Sequence, residues 1–155
     1  ALNALLSDKK LRESVQPICL LGPHFKHDDI VESLLASFTK SKIVRNCYSV
    51  LELPHVCDIA IGAPGLSHAE RLYAGIPTVL VPQNAKHLAL CMGWQNEGCA
   101  LYAKPEPKHI ASQINALIAN QFEPARAISM RGQSVIDGKG ASRILSELTM
   151  RGRTI

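Results

Sequence analysis

Apolar positions in this chain fall into two patterns, short continuous runs and longer stretches at three- and four-residue spacing, the marks of buried strands and amphipathic helices. Residues 1–12 place Leu2, Leu5 and Leu6 on one stripe and predict a helix. Pro17 leads into Ile18-Cys19-Leu20-Leu21, closed by Gly22 and Pro23, which predicts a strand buried on both faces. A helix follows from Asp28, with Ile30, Val31, Leu34, Leu35 and Phe38 at helical spacing and Asp28, Asp29 and Glu32 near its start, where the macrodipole favours acids. Ile43 and Val44 begin a second strand, residues 49–53 form a short helix or turn, and residues 56–61 form a third strand that stops at Gly62.

The second half continues the alternation. Residues 66–74 predict a helix stopped by Gly75, Pro77 leads into a strand at 78–81, residues 85–97 form a helix and residues 99–103 a short strand. Residues 107–120 predict a helix with Ile110, Ile114, Leu117 and Ile118 as its apolar face. Two further helices, 124–134 and 141–148, bracket the turn Asp137-Gly138-Lys139-Gly140. Repeated strand, helix, strand units imply an α/β domain with a doubly wound parallel sheet flanked by helices. Ligands of such sheets bind beyond the carboxyl ends of the strands, so Gly22 and residues 46–49, 62–67 and 81–86 are expected to share one rim.

The length of 155 residues suits one domain, taken as residues 1–150 with a frayed tail at 151–155. Ala1 in place of an initiator Met fits a processed or truncated N-terminus. No apolar run approaches the roughly 18 residues of a membrane span, and no signal peptide opens the chain. The five cysteines form no C-x-x-C pair and fit a reducing cytoplasm. The net charge of +4 is local: Arg126, Arg131, Lys139, Arg143, Arg151 and Arg153 face only Asp137 and Glu147 after residue 123, and the rest of the chain is balanced. That basic segment fits a local anionic site or a solvated helix face, and without an aromatic platform it argues against nucleic acid. His24 and His27 have no convincing second cluster with which to hold a metal, and no metal or cofactor is expected.

Candidate chemistry concentrates at residues 62–70. Gly62 and Gly65 remove Cβ atoms where the chain leaves a strand and enters a helix, which lets an anion approach main-chain N–H groups. Glu70, about one helical turn beyond Ser67, could accept hydrogen bonds from vicinal hydroxyls such as those of a ribose. Ser67-His68-Ala69-Glu70 is equally an S-x-x-E capping box, in which Glu70 would satisfy an orphan helix N–H. His68 reads more readily as a solvated side chain than as a general base.

The stretch Gly-Ala-Pro-Gly-Leu-Ser-His-Ala-Glu-Arg-Leu-Tyr-Ala-Gly-Ile-Pro-Thr-Val-Leu-Val-Pro-Gln-Asn, residues 62–84, resembles the donor-binding segment of GT-B nucleotide-sugar enzymes. These include the lipid II N-acetylglucosaminyltransferase and, more closely, the UDP-diacetamido-trideoxy-altrose hydrolases and spore-coat polysaccharide glycosyltransferases. The late Asp137-Gly138-Lys139-Gly140-Ala141-Ser142-Arg143 is similar to a D-G-x-G-x-x-R pattern of the hydrolase branch. The resemblance covers about residues 17–148 and implies the Rossmann-like C-terminal half of a GT-B enzyme. It implies that Glu70 holds a donor ribose, that Gly62, Gly65, Leu66 and Ser67 line the diphosphate, that main-chain groups around Cys47 and Val50 edge a uracil, and that Gln83 and Asn84 face the sugar.

The function so implied is UDP-sugar binding within a hydrolase of pseudaminic-acid-type surface-glycan synthesis. The alternatives are a glycosyltransferase donor domain and a non-catalytic donor-binding subunit that completes a separate acceptor chain. Family members begin this domain with a strand and a glycine-rich loop, and carry a G-x-G-H histidine in an N-terminal domain; none of these is found here, so no catalytic residue is assigned. The expected partners are a UDP-sugar and an N-terminal acceptor or catalytic domain in cis or trans, and the expected defect is an unpaired sheet edge or a gap.

Overall fold

A computed structural model describes residues 1–45, 47 and 56–151. Among these residues five strands and seven helices follow the order expected of an α/β domain. Strand β1 (Ile18–Leu21) pairs in parallel with β2 (Lys42–Arg45), and β3 (Ala60–Gly62), β4 (Thr78–Leu80) and β5 (Leu101–Tyr102) form a second parallel sheet in that order. The expected single sheet is therefore two. Among the described residues, the edges of β1 and β3 not engaged by β2 and β4 carry no strand. Leu20 of β1 is 41% exposed, so this strand is not buried on both faces as its apolar run predicts.

Alternation along the strands assigns the helices to layers. Val79 of β4, Cys19 of β1 and Ile43 of β2 pack into one apolar layer with α1 (Leu2–Ser7), α2 (Lys9–Ser14), α3 (Asp28–Leu35) and α6 (Pro107–Val135). Leu80, the next residue of β4, packs instead with Cys91 and Trp94 of α5 (Ala85–Asn96) and with Ala100 and Tyr102. Strand β4 is thus covered from both sides, as a doubly wound fold requires of its inner strands.

The predicted helix at 1–12 is two helices because Asp8 competes with its own backbone. Its carboxylate accepts the Leu11 N–H at 3.0 Å, which holds Asp8 extended and starts α2 anew. The same carboxylate accepts Asn115 Nδ2 at 2.8 Å, tying the break to α6. Those bonds, the backbone one first, hold the Asp8 carboxyl below its ordinary range. Helix α6 breaks in turn at Ala119–Phe122, where Asn120, Gln121 and Phe122 adopt left-handed φ of 48°, 57° and 66°. Its two halves match the predicted helices at 107–120 and 124–134. The predicted helix at 141–148 is α7 (Gly140–Arg151), and the predicted turn at 49–53 and the tail beyond Arg151 lie outside the described residues.

Gly75 ends α4 (Leu66–Tyr73) through two reverse bonds, Gly75 N–H to Leu72 O at 3.0 Å and Ile76 N–H to Arg71 O at 2.8 Å. Its φ of +73° belongs to the left-handed region, and a Cβ there would sit 2.8 Å from Gln133 Nε2 and 3.0 Å from Ser129 Oγ of α6. We therefore expect Gly75→Ala to lower unfolding stability by about 1–2 kcal/mol. Gly93→Ala in α5, where no atom lies within 4 Å of the added Cβ, is expected to gain about 0.5–1 kcal/mol. Urea denaturation of the two variants checks both signs.

Candidate functional site

Strand β3 ends at Gly62, in register with Leu80 at the end of β4 and so one strand from Tyr102 at the end of β5. The turn after β3 delivers the chain into α4 with Gly65 as N-cap, and no side chain caps this end. His68 N–H donates to Gly65 O at 2.8 Å, leaving the N–H groups of the first turn before it, those of Leu66 and Ser67, at a helix N-terminus. Nothing lies within 4 Å of the position a Gly65 Cβ would take, and Leu66 is 81% exposed. The mouth is open and carries the positive end of the helix dipole.

This placement removes the capping-box alternative. Ser67 lies inside α4, two residues beyond the N-cap, so Glu70 is not the reciprocal partner of a Ser67 cap. The half-buried Glu70 carboxylate accepts no hydrogen bond and joins no ion pair among the described residues. Its acceptor capacity is unspent.

The glycine at position 62 has a different cause from the one its sequence suggests. The guanidinium of Arg71 lies over it, so that a Cβ on Gly62 would come 3.1 Å from Nη1 and 3.2 Å from Nη2. Arg71 is buried to 8% exposure, with Nη2 donating to Ala63 O at 2.9 Å, Nε to Thr78 Oγ1 at 3.2 Å and Nη1 to Ser67 Oγ at 3.4 Å. It forms no ion pair among the described residues. Burial pulls its pKa down to about 10, against the opposing pull of Glu70 and Cys57. Cys57 is no counter-ion, since burial pushes its thiol up.

His68 is fully buried rather than solvated. Its ring meets Trp94 edge-on at 5.2 Å, neither ring nitrogen has a hydrogen-bond partner, and burial followed by the Arg71 charge lowers its pKa to about 4. A neutral imidazole of that kind is a poor proton acceptor at neutral pH. Sequence reading passes over Arg71 and takes His68 as solvated, yet positions 68, 71 and 72 repeat at the spacing of a buried helix face.

The remaining predicted residues divide. Gln83 and Asn84 follow β4, next to β3, and both are exposed; Asn84 also caps α5 by accepting His87 N–H at 2.9 Å. Cys47 is half-buried just past β2, on the other sheet, and Val50 lies outside the described residues. Arg143, a candidate for phosphate charge, pairs with Asp137 of its own turn, where Asp137 Oδ1 also accepts Lys139 N–H at 3.0 Å. A Cβ on Gly138 would come 2.9 Å from the ring of Tyr73, so part of the D-G-x-G-x-x-R pattern serves to start α7 and seat its turn on α4. Among the described residues no group of three or more His, Cys, Asp and Glu side chains could hold a metal ion, and no helix is long and apolar enough to cross a membrane.

No protein-family profile matches the chain. Over 68 residues it is 38% identical to an uncharacterised protein of Methanocaldococcus jannaschii, MJ1062, a match covering 42% of this chain and 14% of that protein. The solved structure of the spinosyn forosaminyltransferase SpnP superposes with a TM-score of 0.63 over 94% of this chain and 37% of its own, at 14% identity. The glycosyltransferase SnogD from Streptomyces nogalater gives a TM-score of 0.58 over 84% of this chain and 43% of its own, again at 14% identity. The fold is a GT-B-like Rossmann half. At this identity the likeness is one of fold, and the chain spans about two-fifths of either enzyme.

The buried imidazole sets an acid limit. Its folded pKa of about 4 lies below the ordinary 6.5, so the stability it permits is complete above pH 6.5 and is lost as pH falls towards 4. The loss amounts to about 3 kcal/mol at pH 4. Replacing His68 by Phe is expected to flatten the melting temperature between pH 6.5 and 4.5, above the range in which Asp8 and Asp137 take up protons. A melting curve across that range that keeps the native slope in the variant would refute the assignment.

Proposed function

We propose that this chain is the nucleotide-sugar-binding half of a GT-B glycosyltransferase-like enzyme, with a UDP-sugar as donor. The carrying observation is the N-terminus of α4 at Gly65, without a side-chain cap and open to solvent, at the carboxyl end of a parallel strand, with a Glu70 carboxylate one turn on that makes no hydrogen bond or ion pair among the described residues. The N–H groups of Leu66 and Ser67 suit the diphosphate, and Glu70 suits the ribose hydroxyls. Gln83 and Asn84, at the end of the neighbouring strand, suit the sugar, and Asn84 retains its amide nitrogen for that purpose because only Oδ1 is engaged in capping. Main-chain groups near Cys47 and Val50 are assigned to the base through the family resemblance alone.

The two solved structures described above are named a forosaminyltransferase and a glycosyltransferase, which favours glycosyl transfer over the hydrolysis implied by the sequence resemblance. In transfer, an acceptor hydroxyl displaces the nucleoside diphosphate at the anomeric carbon, and the helix N-terminus stabilises the departing negative charge. The acceptor and the base that deprotonates it belong to a second half, in cis or trans. The edges of β1 and β3 that carry no strand among the described residues are where such a half, or a further strand, would join this one.

Thermal denaturation with added UDP tests the reading. At 100 times the dissociation constant, linkage contributes about 2.7 kcal/mol, a rise of several degrees for a domain of this size. No shift at millimolar UDP would overturn donor binding by this chain. Because Glu70 is not a cap, Glu70→Gln is expected to weaken UDP at least tenfold, with only a small fall in the melting temperature of the free chain from the loss of its pull on Arg71.

A further inference from the structure

The underside of the α4 mouth holds a charge that the proposed donor chemistry has not used. Arg71 reaches back along its helix to three separate segments: the turn after β3 through Ala63 O, the first turn of α4 through Ser67 Oγ, and the start of β4 through Thr78 Oγ1. Thr78 is itself fixed, donating its hydroxyl to Ile76 O at 3.1 Å. The guanidinium also covers Gly62 where any larger residue would press on it.

These contacts engage each of the three guanidinium nitrogens once and leave the charge without an ion pair. Every acceptor is neutral, and among the described residues no carboxylate lies at ion-pair distance; the neighbouring Glu70 charge offsets burial only in part. A buried cation normally carries an opposite charge with it, because desolvation outweighs what neutral hydrogen bonds return. Here the cation also lies behind the positive end of a helix, and the two like fields add. The combination is unfavourable in the empty chain and becomes favourable when an anion enters the mouth. The structure holds a positive charge in reserve.

We propose that Arg71 is a positioning residue of the donor site, fixing the turn from Gly62 to Ser67 and supplying from beneath it the positive field that recognises a diphosphate. This rests on the reading of α4 as the diphosphate end of a nucleotide-sugar site. Arg71 touches no ligand; it acts through the loop and through its charge. A neutral side chain in its place relieves the buried charge and removes the field, so free-chain stability and anion affinity move in opposite directions.

Calorimetric titration of the 155-residue chain with inorganic phosphate, inorganic pyrophosphate and UDP at low ionic strength tests this, beside Arg71→Met and Arg71→Lys, with ligand-free melting temperatures for each. The expected result is that Arg71→Met binds pyrophosphate at least tenfold more weakly than the native chain, shows a smaller deficit with phosphate, and melts no lower without ligand. Arg71→Lys, which keeps the charge but not the planar fork, is expected to recover part of the affinity. Native pyrophosphate affinity in a folded Arg71→Met chain overturns the proposal. So does a deficit equal for both anions and not recovered by lysine, the mark of a loop merely distorted. If Arg71→Met does not fold, Arg71→Lys decides: pyrophosphate affinity within tenfold of native supports the charge, and complete loss of binding overturns it. A native chain that binds pyrophosphate but not UDP removes the nucleotide from the site while leaving the role of Arg71 in place. A native chain that binds none of the three removes both.

Discussion

Two parallel sheets that share no ladder among the described residues are held as one body by a single apolar layer. Leu11, Ile114 and Leu117 are wholly buried there, and strand residues from both sheets, Cys19 and Ile43 from one and Val79 from the other, pack against the same group. Each such side chain contributes about 1.5–3 kcal/mol when removed from water, and nothing else described replaces that contribution between the sheets. Helix α6 is the centre of this layer because it packs on α1, on β4 and on α4 together. The mutual orientation of β1 with its loop and β3 with its loop is a property of helix packing rather than of strand pairing.

The mouth of α4 inherits its character from the opposite layer. His68 of α4 packs on Trp94 of α5 and Arg71 reaches Thr78 at the start of β4, so the buried side of α4 carries an imidazole and a guanidinium where a stable core would place apolar side chains. Local rules of that kind are commonly broken where function requires it. The open rim above the same turn carries a helix end without a side-chain cap and a carboxylate that forms no ion pair among the described residues.

Much of the architecture is legible in the residue pattern for physical reasons that particular elements display. Strands β1 and β2 and helix α3 follow from apolar runs and periodicity, and Gly75 follows from the left-handed turn that only glycine adopts cheaply. The break in α6 is visible because Pro124 cannot sit in a helix interior. Less is legible where side chains compete with the backbone. Asp8 looks like one more polar residue on a helix, yet its carboxylate restarts the chain through Leu11 N–H. The S-x-x-E spacing at Ser67 imitates a cap, but Gly65 starts α4 two residues sooner. His68 and Arg71 are polar by type and apolar by position, so only the periodicity of α4 reveals that they face inward. The division of the sheet has no local signature, because strand neighbours are chosen by packing across the whole chain.

The second half of α6 has a consequence for the order in which the molecule is made. Ser129 Oγ holds Gly75 O at 2.7 Å across 54 residues, Arg131 Nε holds Glu97 O at 3.0 Å across 34, and Gly132 lets Leu72 approach so closely that a Cβ would meet it at 2.7 Å. These contacts clamp the carboxyl ends of α4 and α5, and so settle where the amino end of α4 is aimed. A ribosome releases Gly62, Gly65, Ser67 and Glu70 long before it releases the residues that hold their helix in place. The turn that would receive a ligand is translated about sixty residues ahead of the contacts at Ser129, Arg131 and Gly132 that fix its direction, and stays unaimed until they emerge.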